Sequence, residues 1–540
     1  MKISEAYPVE IFATYSDLFG VKYEKERLQG IIHDLPLGGM INVLSKLSGD
    51  EINEKNIRAE FITFLRDNIT NSEFIIQKVE GMKLHTPQGF LTLWKWFLSY
   101  GDWNKLDDFF HETNRSISTN LYLHLIVGDY LYEKNNEDDE DKILYEMFSN
   151  LNFNSHEDIA SALSRACVIY DEIAKNEDNF SDREYMDINE AFQEKYNYSI
   201  KEYLACLFSI FSSFEMAKND MTKSSALGID YFRQFIDHVK IDIIIDELSV
   251  DTDTAKKWAT ENIENSWNYQ LFKEKPLIKL DNGYYLPFSL KLLRQQIFSQ
   301  FFFKIRECFP RDNEQIISFI GRCFEKYVDL ITDEALSLSH IDYKPIPEFT
   351  FGNNRSPDYM IRLGKKLLAV EVKNRRLKLD SIINRNQETI HSDMKNMIES
   401  PILQVYKCVK KLIERNHSSV AGIEEIYLVV VTQGSIATLP NFMKDIEERV
   451  FEGVEIPVKS IHHFDIQEYE NMLAIIGKRG ARPIFRILDN KTKLAPYISF
   501  NNYLYKSFYS KKRLPLINQK FNQYTDEFLD ILTGKQISGR

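Results

Sequence analysis

No run of about 18 apolar residues occurs in this 540-residue sequence, which excludes a membrane-spanning helix from the reading. The longest apolar stretches, such as 427–431, are strand-sized. The opening residues Met1-Lys2-Ile3-Ser4-Glu5-Ala6-Tyr7 lack an apolar signal region, so the expected location is the cytoplasm. Cysteine is scarce: Cys167, Cys206, Cys308, Cys323 and Cys408 are an odd, scattered set without CxxC spacing. They imply neither a disulfide framework nor a zinc site, suit a reducing compartment, and are expected as small core fillers. Positive charge is short too. The formal net charge is −13, which taken whole argues against a protein coated in basic surface for nucleic acid. With 44% hydrophobic and 27% charged residues the composition is globular, and the length suits about three or four domains.

Glycine and proline are also sparse in residues 1 to about 265, where apolar residues recur at three- and four-residue spacing. Examples are Phe61-Ile62 with Phe64-Leu65, then Leu91, Leu93, Trp94, Trp96 and Phe97, then Ile159, Leu163 and Cys167. This half is expected to be mainly helical, with a solvated acidic loop at 135–141. It shows no persistent repeat and no catalytic motif. Its histidines (His33, His85, His111, His124, His156, His238) lack ligand spacing and are read as structural or surface groups.

The pattern changes near residue 272. Residues 275–287 read as a β-hairpin around Asn282-Gly283, and 290–308 as a long helix. An amphipathic helix is expected at 314–338, burying Ile316, Ile320, Cys323, Phe324, Tyr327, Val328 and Ile331. Extended segments follow near 341–350, 357–363 and 367–373. Ser400-Pro401 reads as the N-cap and first residue of a helix at 400–415. Residues 426–431 read as a strand buried on both faces. The overall expectation is α+β: 1–270 a helical region, 271–310 a hairpin and linking helix, 311–475 an α/β domain, and 476–540 a basic aromatic extension.

The chemistry concentrates in 356–373. Gly364-Lys365 suits a two-residue turn with positive φ at glycine. Leu363 then faces Lys366, and continuing that ladder brings Asp358 opposite Glu371 on one face, Cβ atoms about 4.5–5.5 Å apart. Like charges directly opposite destabilise a sheet, so the pairing makes sense around a hard divalent cation, Mg²⁺ or Mn²⁺. The two-residue period puts Lys373 on the same face. A three-residue turn would shift the pairing and spoil the alignment.

Pro357-Asp358, twelve residues, then Glu371-x-Lys373 on an apolar strand resembles the PD-(D/E)xK nuclease superfamily, and the expected α-β-β-β-α-β order is similar to its restriction-endonuclease-like core. The resemblance covers about residues 311–435. It implies Asp358 and Glu371 as metal ligands and Lys373 as the group that positions the attacking water. It further implies Glu325, on the preceding helix, as an additional ligand, and Gln404, on the following helix, as an active-site residue. Tyr406 comes only two residues after Gln404, which departs from the Gln-x-x-x-Tyr form of one branch of the superfamily.

Charge along the chain is uneven. Residues 350–417 hold 14 Lys/Arg against 7 Asp/Glu, and 478–520 hold 11 against 1, leaving the remainder strongly acidic. Arg375, Arg376, Lys378, Lys407, Lys411, Lys511, Lys512 and Arg513 are the candidate nucleic-acid contacts. At least half of the interleaved aromatics (Tyr497, Phe500, Tyr503, Tyr505, Phe508, Tyr509) are read as core rather than base-stacking platforms. The expected function is a metal-dependent nuclease, DNA favoured over RNA, in an architecture resembling bacterial anti-phage defence nucleases. On that analogy the helical half would sense a trigger or bind a protein partner, and the chain could self-associate. The rivals are a restriction endonuclease whose N-terminal region reads DNA, a degenerate nuclease-fold scaffold or nucleic-acid-binding subunit, and a protein-interaction platform.

Overall fold

The computed structural model describes residues 12–49, 54–106, 113–131, 148, 153, 157–218, 224–234, 238–384, 386–438, 440–451, 458–477, 483–507 and 513–534. A mostly helical N-terminal region is followed by a mixed α/β region carrying several small sheets. Two compact units interleave along the chain.

The first unit comprises Val9–Ile143, Lys201–Phe301 and Glu527–Arg540. Its helix Leu37–Leu47 buries every residue, as a helix apolar on all sides must. The helix Pro87–Tyr100 starts where Thr86 accepts the Gly89 N–H and a proline takes the first position. The Asn282-Gly283 hairpin is present: Leu277–Lys279 pairs antiparallel with Tyr284–Pro287, and Gly283 has φ +82°. These strands belong to a four-stranded sheet with Leu227–Gly228 and Ser249–Asp251 at its edges. The expected single helix at 290–308 is instead two short helices, Leu290–Gln295 and Phe301–Arg306.

The second unit joins Leu144–Ile200 to Phe302–Asp526, so residues 144–200 do not group with the rest of the N-terminal half. Buried polar chemistry explains this. Helix α1 (Ile159–Cys167), capped by Asp158, carries Arg165, which is 1% exposed. Its guanidinium donates to both carboxylate oxygens of Glu470 at 2.8 and 2.9 Å and to Glu157 at 2.9 Å. Tyr327 of α2 (Gln315–Leu338) donates to the same Glu470 at 2.7 Å. Beyond α1 the chain continues as a π-helix, Val168–Ile173.

Helix α2 buries all seven residues of its expected apolar stripe. Then come β1 (Lys344–Pro347), β2 (Tyr359–Leu363), β3 (Lys366–Lys373), α3 (Ser400–Glu414), β4 (Glu425–Thr432), β5 (Val458–Asp465) and α4 (Ile466–Ile476). The sheet order is β5-β4-β3-β2-β1, with β1, β2 and β3 antiparallel and β3, β4 and β5 parallel. Val405 and Val409 of α3 pack on Leu367, Ala369, Leu428 and Val430, one face of this sheet; α2 packs on β3 and β1.

Helix α3 has no cap at Ser400. It runs on from a helix Gln387–Met394 through a π-helical segment, Lys395–Glu399, and Ser400 itself is helical at φ −61°, ψ −43°. The widened π turn makes room for Pro401, whose ring lacks the N–H and would clash with the carbonyl four residues back in an ideal α-helix.

Candidate functional site

The β2–β3 hairpin has the register that its turn dictates. Leu363 pairs with Lys366, Arg362 with Leu367, and the ladder runs to Tyr359 opposite Val370. Gly364 supplies φ +58°. One step further along this ladder Asp358 falls opposite Glu371. There the ladder ends in a side chain: the Val372 N–H donates to Asp358 Oδ2 at 2.7 Å. Glu371 is 1% exposed, and the Lys373 ammonium donates to its Oε1 at 2.6 Å.

Asp358 owes its position to an irregularity. Pro347 of β1 pairs with Tyr359. The chain between β1 and β2 then folds into a small hairpin, Thr350–Phe351 against Asn354–Arg355, closed where the Ser356 N–H donates to the Phe349 carbonyl at 2.9 Å. Glu348 alone therefore faces two residues, Pro357 and Asp358. Such a bulge bends its strand and re-aims the extra side chain.

The electrostatics follow from this crowding. Burial, then the charge of Glu371, pushes the Asp358 carboxyl up to about 8, against the pull of the Val372 N–H; Glu325 raises it further. Burial also raises Glu371, opposed by Lys373 and reinforced by Glu325 and Glu348. Burial works against the Lys373 ammonium, but Glu371, Asp358 and Glu325 outweigh it and the net shift is upward. Lys373 is thus a fixed cation. Asp329 is pushed up to about 7 by burial and by Asp333 and Glu325.

Glu325 faces this group, but its carboxylate is bonded to Arg322 Nη1 at 2.5 Å. On α3, Gln404 and Lys407 are exposed. The half-buried Cys408 thiol is raised by burial and by Glu371, and also by Asp358, which turns that face of α3 toward the carboxylates. Lys411 of the same face donates to Asn354 Oδ1 at 2.9 Å. Glu348, Asp329 and Cys408 went unread in the sequence. Asp329 and Cys408 carried a signal, each lying four residues beyond a named candidate on its helix.

Among the described residues, no group of three or more His, Cys, Asp or Glu side chains comes together so as to hold a metal ion. No protein-family model and no curated protein matches the chain. Nor does any helix of the described residues have the length and apolarity to cross a membrane.

The outlying basic candidates scatter. Arg375 is exposed, and Lys378 donates to Ser392 Oγ at 3.0 Å. Arg376 is not the surface contact expected of it: its Nε and Nη2 are buried and its guanidinium carbon lies 3.9 Å from the centre of the Phe302 ring. Arg513 forms a two-point ion pair with Asp158 at 2.5 and 2.6 Å. Lys511 and Lys512 lie outside the described residues. Of the C-terminal aromatics, Phe500 and Tyr503 are buried and Tyr505 is exposed.

Proposed function

We propose that residues 311–475 form a nuclease domain of the PD-(D/E)xK kind that acts on nucleic acid, DNA in preference to RNA, and hydrolyses phosphodiester bonds with Mg²⁺ or Mn²⁺. One observation carries this reading: a buried and a half-buried carboxylate at facing positions on adjacent strands, with one ammonium, bonded to the buried one, to offset their repulsion. A hard cation would remove the remaining repulsion. Mg²⁺ keeps several waters and commonly takes only one or two protein carboxylates, completing its shell with substrate phosphate, so Asp358 and Glu371 fit it. When bound it would supply Lewis-acid polarisation of the phosphoryl group and a more acidic water. Water oxygen bonds to phosphorus and loses its proton to solvent as the P–O bond to the leaving sugar oxygen breaks and that oxygen takes up a proton from solvent. Lys373, held cationic, orients that water and stabilises the anionic transition state rather than acting as a base. The order helix–three antiparallel strands–helix–parallel strand supports the restriction-endonuclease-like core. Arg375, Lys407 and Lys411 would contact the backbone. The helical unit is proposed to bind a trigger or partner protein in a bacterial defence role, by architecture alone.

A second reading has its own support: a nuclease-fold subunit that binds nucleic acid without cutting it. The absence of a third metal-capable side chain among the described residues, with Glu325 engaged by Arg322, favours it. On donor count this reading stands ahead; on the unbalanced charge of the buried pair the hydrolytic one does. Incubating plasmid, linear duplex, single strands and RNA with the protein in Mg²⁺, Mn²⁺ or chelator separates them. Hydrolysis predicts metal-dependent cutting, lost in Lys373→Ala and Asp358→Ala. Binding without cutting in every metal supports the subunit. Cutting that survives in chelator or in either variant overturns the site.

A further inference from the structure

A second cluster of buried polar groups lies just past the carboxyl ends of β3 and β4. These strands are parallel, and Lys373 pairs with Thr432 at the last rung. The next residues, Asn374 and Gln433, therefore stand side by side on the face opposite Glu371 and Lys373. Gln433 is 7% exposed and, among the described residues, neither atom of its amide makes a hydrogen bond of ordinary length and angle. Both amide atoms of Asn374 are likewise buried and unpartnered. So are Nε and Nη2 of Arg376, which together form one edge of the guanidinium.

The arginine is held where it is. The Phe302 ring covers its flat face at 3.9 Å. The Gly434 N–H donates to the Arg375 carbonyl at 3.0 Å, and a Cβ on Gly434 would stand 3.2 Å from Arg376 Cα, so glycine permits this close approach. The hydroxyl of Tyr170, in the π-helix, is a hydrogen-bonding neighbour of both Arg376 and Gln433, beyond ordinary bond geometry, and it also feels the charge of Arg376. Burial holds Arg376 down at about 10, well within the charged range. Tyr170 and then, more weakly, Glu157 act against that shift, and the Glu157 carboxylate is bonded to Arg165. A buried cation with no counter-ion of its own among the described residues is costly, and buried amides without full hydrogen bonds add to that cost.

We propose that Arg376, Gln433 and Asn374 form an enclosed site for a phosphate-class oxyanion. Water could satisfy the amides but would leave the guanidinium uncompensated. The parallel Nε–H and Nη2–H bonds match two oxygens of one anion, and the two carboxamide N–H groups can supply further donors. The amide oxygens accept from the hydroxyl of hydrogen phosphate. The burial of every donor favours inorganic phosphate over a phosphate carried on a larger molecule. The inference is independent of the hydrolytic reading, since none of these groups faces the Asp358–Glu371 pair.

The test is thermal unfolding of the full chain, with calorimetric titration, against inorganic phosphate at constant ionic strength, with a nucleoside monophosphate as a second arm. A saturable rise in midpoint with phosphate is expected, weakened by about tenfold in affinity in Gln433→Leu and Arg376→Met. Asn374→Ala guards against a variant that fails to fold. Lys373→Ala should keep the response. A stronger response to the monophosphate than to phosphate would overturn the enclosed small-anion assignment. No saturable response, an equal one in all three cluster variants, or its loss in Lys373→Ala would overturn the site itself.

Discussion

Asp358→Asn should make this protein more stable in the absence of metal. The Asp358 carboxyl stands at about 8 in the fold against 3.8 in the open chain. Between those values the folded state holds a proton that the unfolded chain has released. Stability from this group is therefore greatest below the unfolded value and falls as pH rises toward about 8, by ~1.4 kcal/mol per pH unit. Near pH 7 the full difference would reach ~4 kcal/mol, and solvent reaching the half-buried side chain reduces it to roughly 1–3 kcal/mol. Asparagine keeps the shape and an oxygen for the Val372 N–H, and carries no charge to repel Glu371. Chemical denaturation in chelator should show the gain near pH 7 and little difference near about pH 4. Mg²⁺ should stabilise the parent and not the variant, closing the gap from the other side. A variant that is less stable than the parent near pH 7 would refute the repulsion argument, because the cost would then lie in a lost favourable contact.

The same raised carboxyls make Mg²⁺ compete with a proton. Its affinity should climb by up to about tenfold per pH unit on approach to about pH 8 and then level off, with proton release measurable by calorimetry in buffers of different ionisation enthalpy. Glu470→Ala should cost ~3–5 kcal/mol in urea unfolding, since it strips buried Arg165 of its two-point carboxylate partner. Gly364→Val should cost ~1–2 kcal/mol from backbone strain alone, because a Cβ there meets nothing within 4 Å and φ is +58°. A loss well above that would mean the turn residue also packs.

The parts of the site that were legible in the sequence are those fixed by short-range rules. A two-residue turn with glycine first leaves one register, and that register carries Asp358 to Glu371 without any tertiary information. The buried stripe of α2 follows from helical period in the same way. What stayed hidden depends on partners far along the chain or on a break in period. Glu348 reaches the site because the inserted hairpin at 350–355 shifts the pairing by one residue, and no alternation of apolar residues marks that shift. Ser400-Pro401 imitates a helix start because the local pair is right for one; the preceding π turn absorbs the proline instead. Arg376 reads as a surface cation, yet its surroundings are Phe302, Tyr170 and Gln433, contributed by separate stretches of chain.

Arg376 also shows why a charge count along the chain overstates the cations free to meet nucleic acid. In 350–417, Arg362 donates to the carbonyls of Gly364, Ser419 and Ala421, Arg415 to that of Phe351, and Lys366 pairs with Glu425. In the C-terminal stretch Lys491 is buried on the carbonyls of Ala495 and Pro496, Arg513 pairs with Asp158, and Lys520 with Glu172. Part of the positive excess therefore goes into holding loops and into fastening residues 157–172 to the rest of their unit. Among the described residues, Arg375 and Lys407 are cations left exposed near the carboxylates, with Lys378 and Lys411 exposed but bonded to Ser392 and Asn354. Each phosphate contact contributes about one unit to the salt dependence of binding, so affinity through this face should weaken only shallowly with salt. A steep slope would place the main contacts elsewhere on the chain.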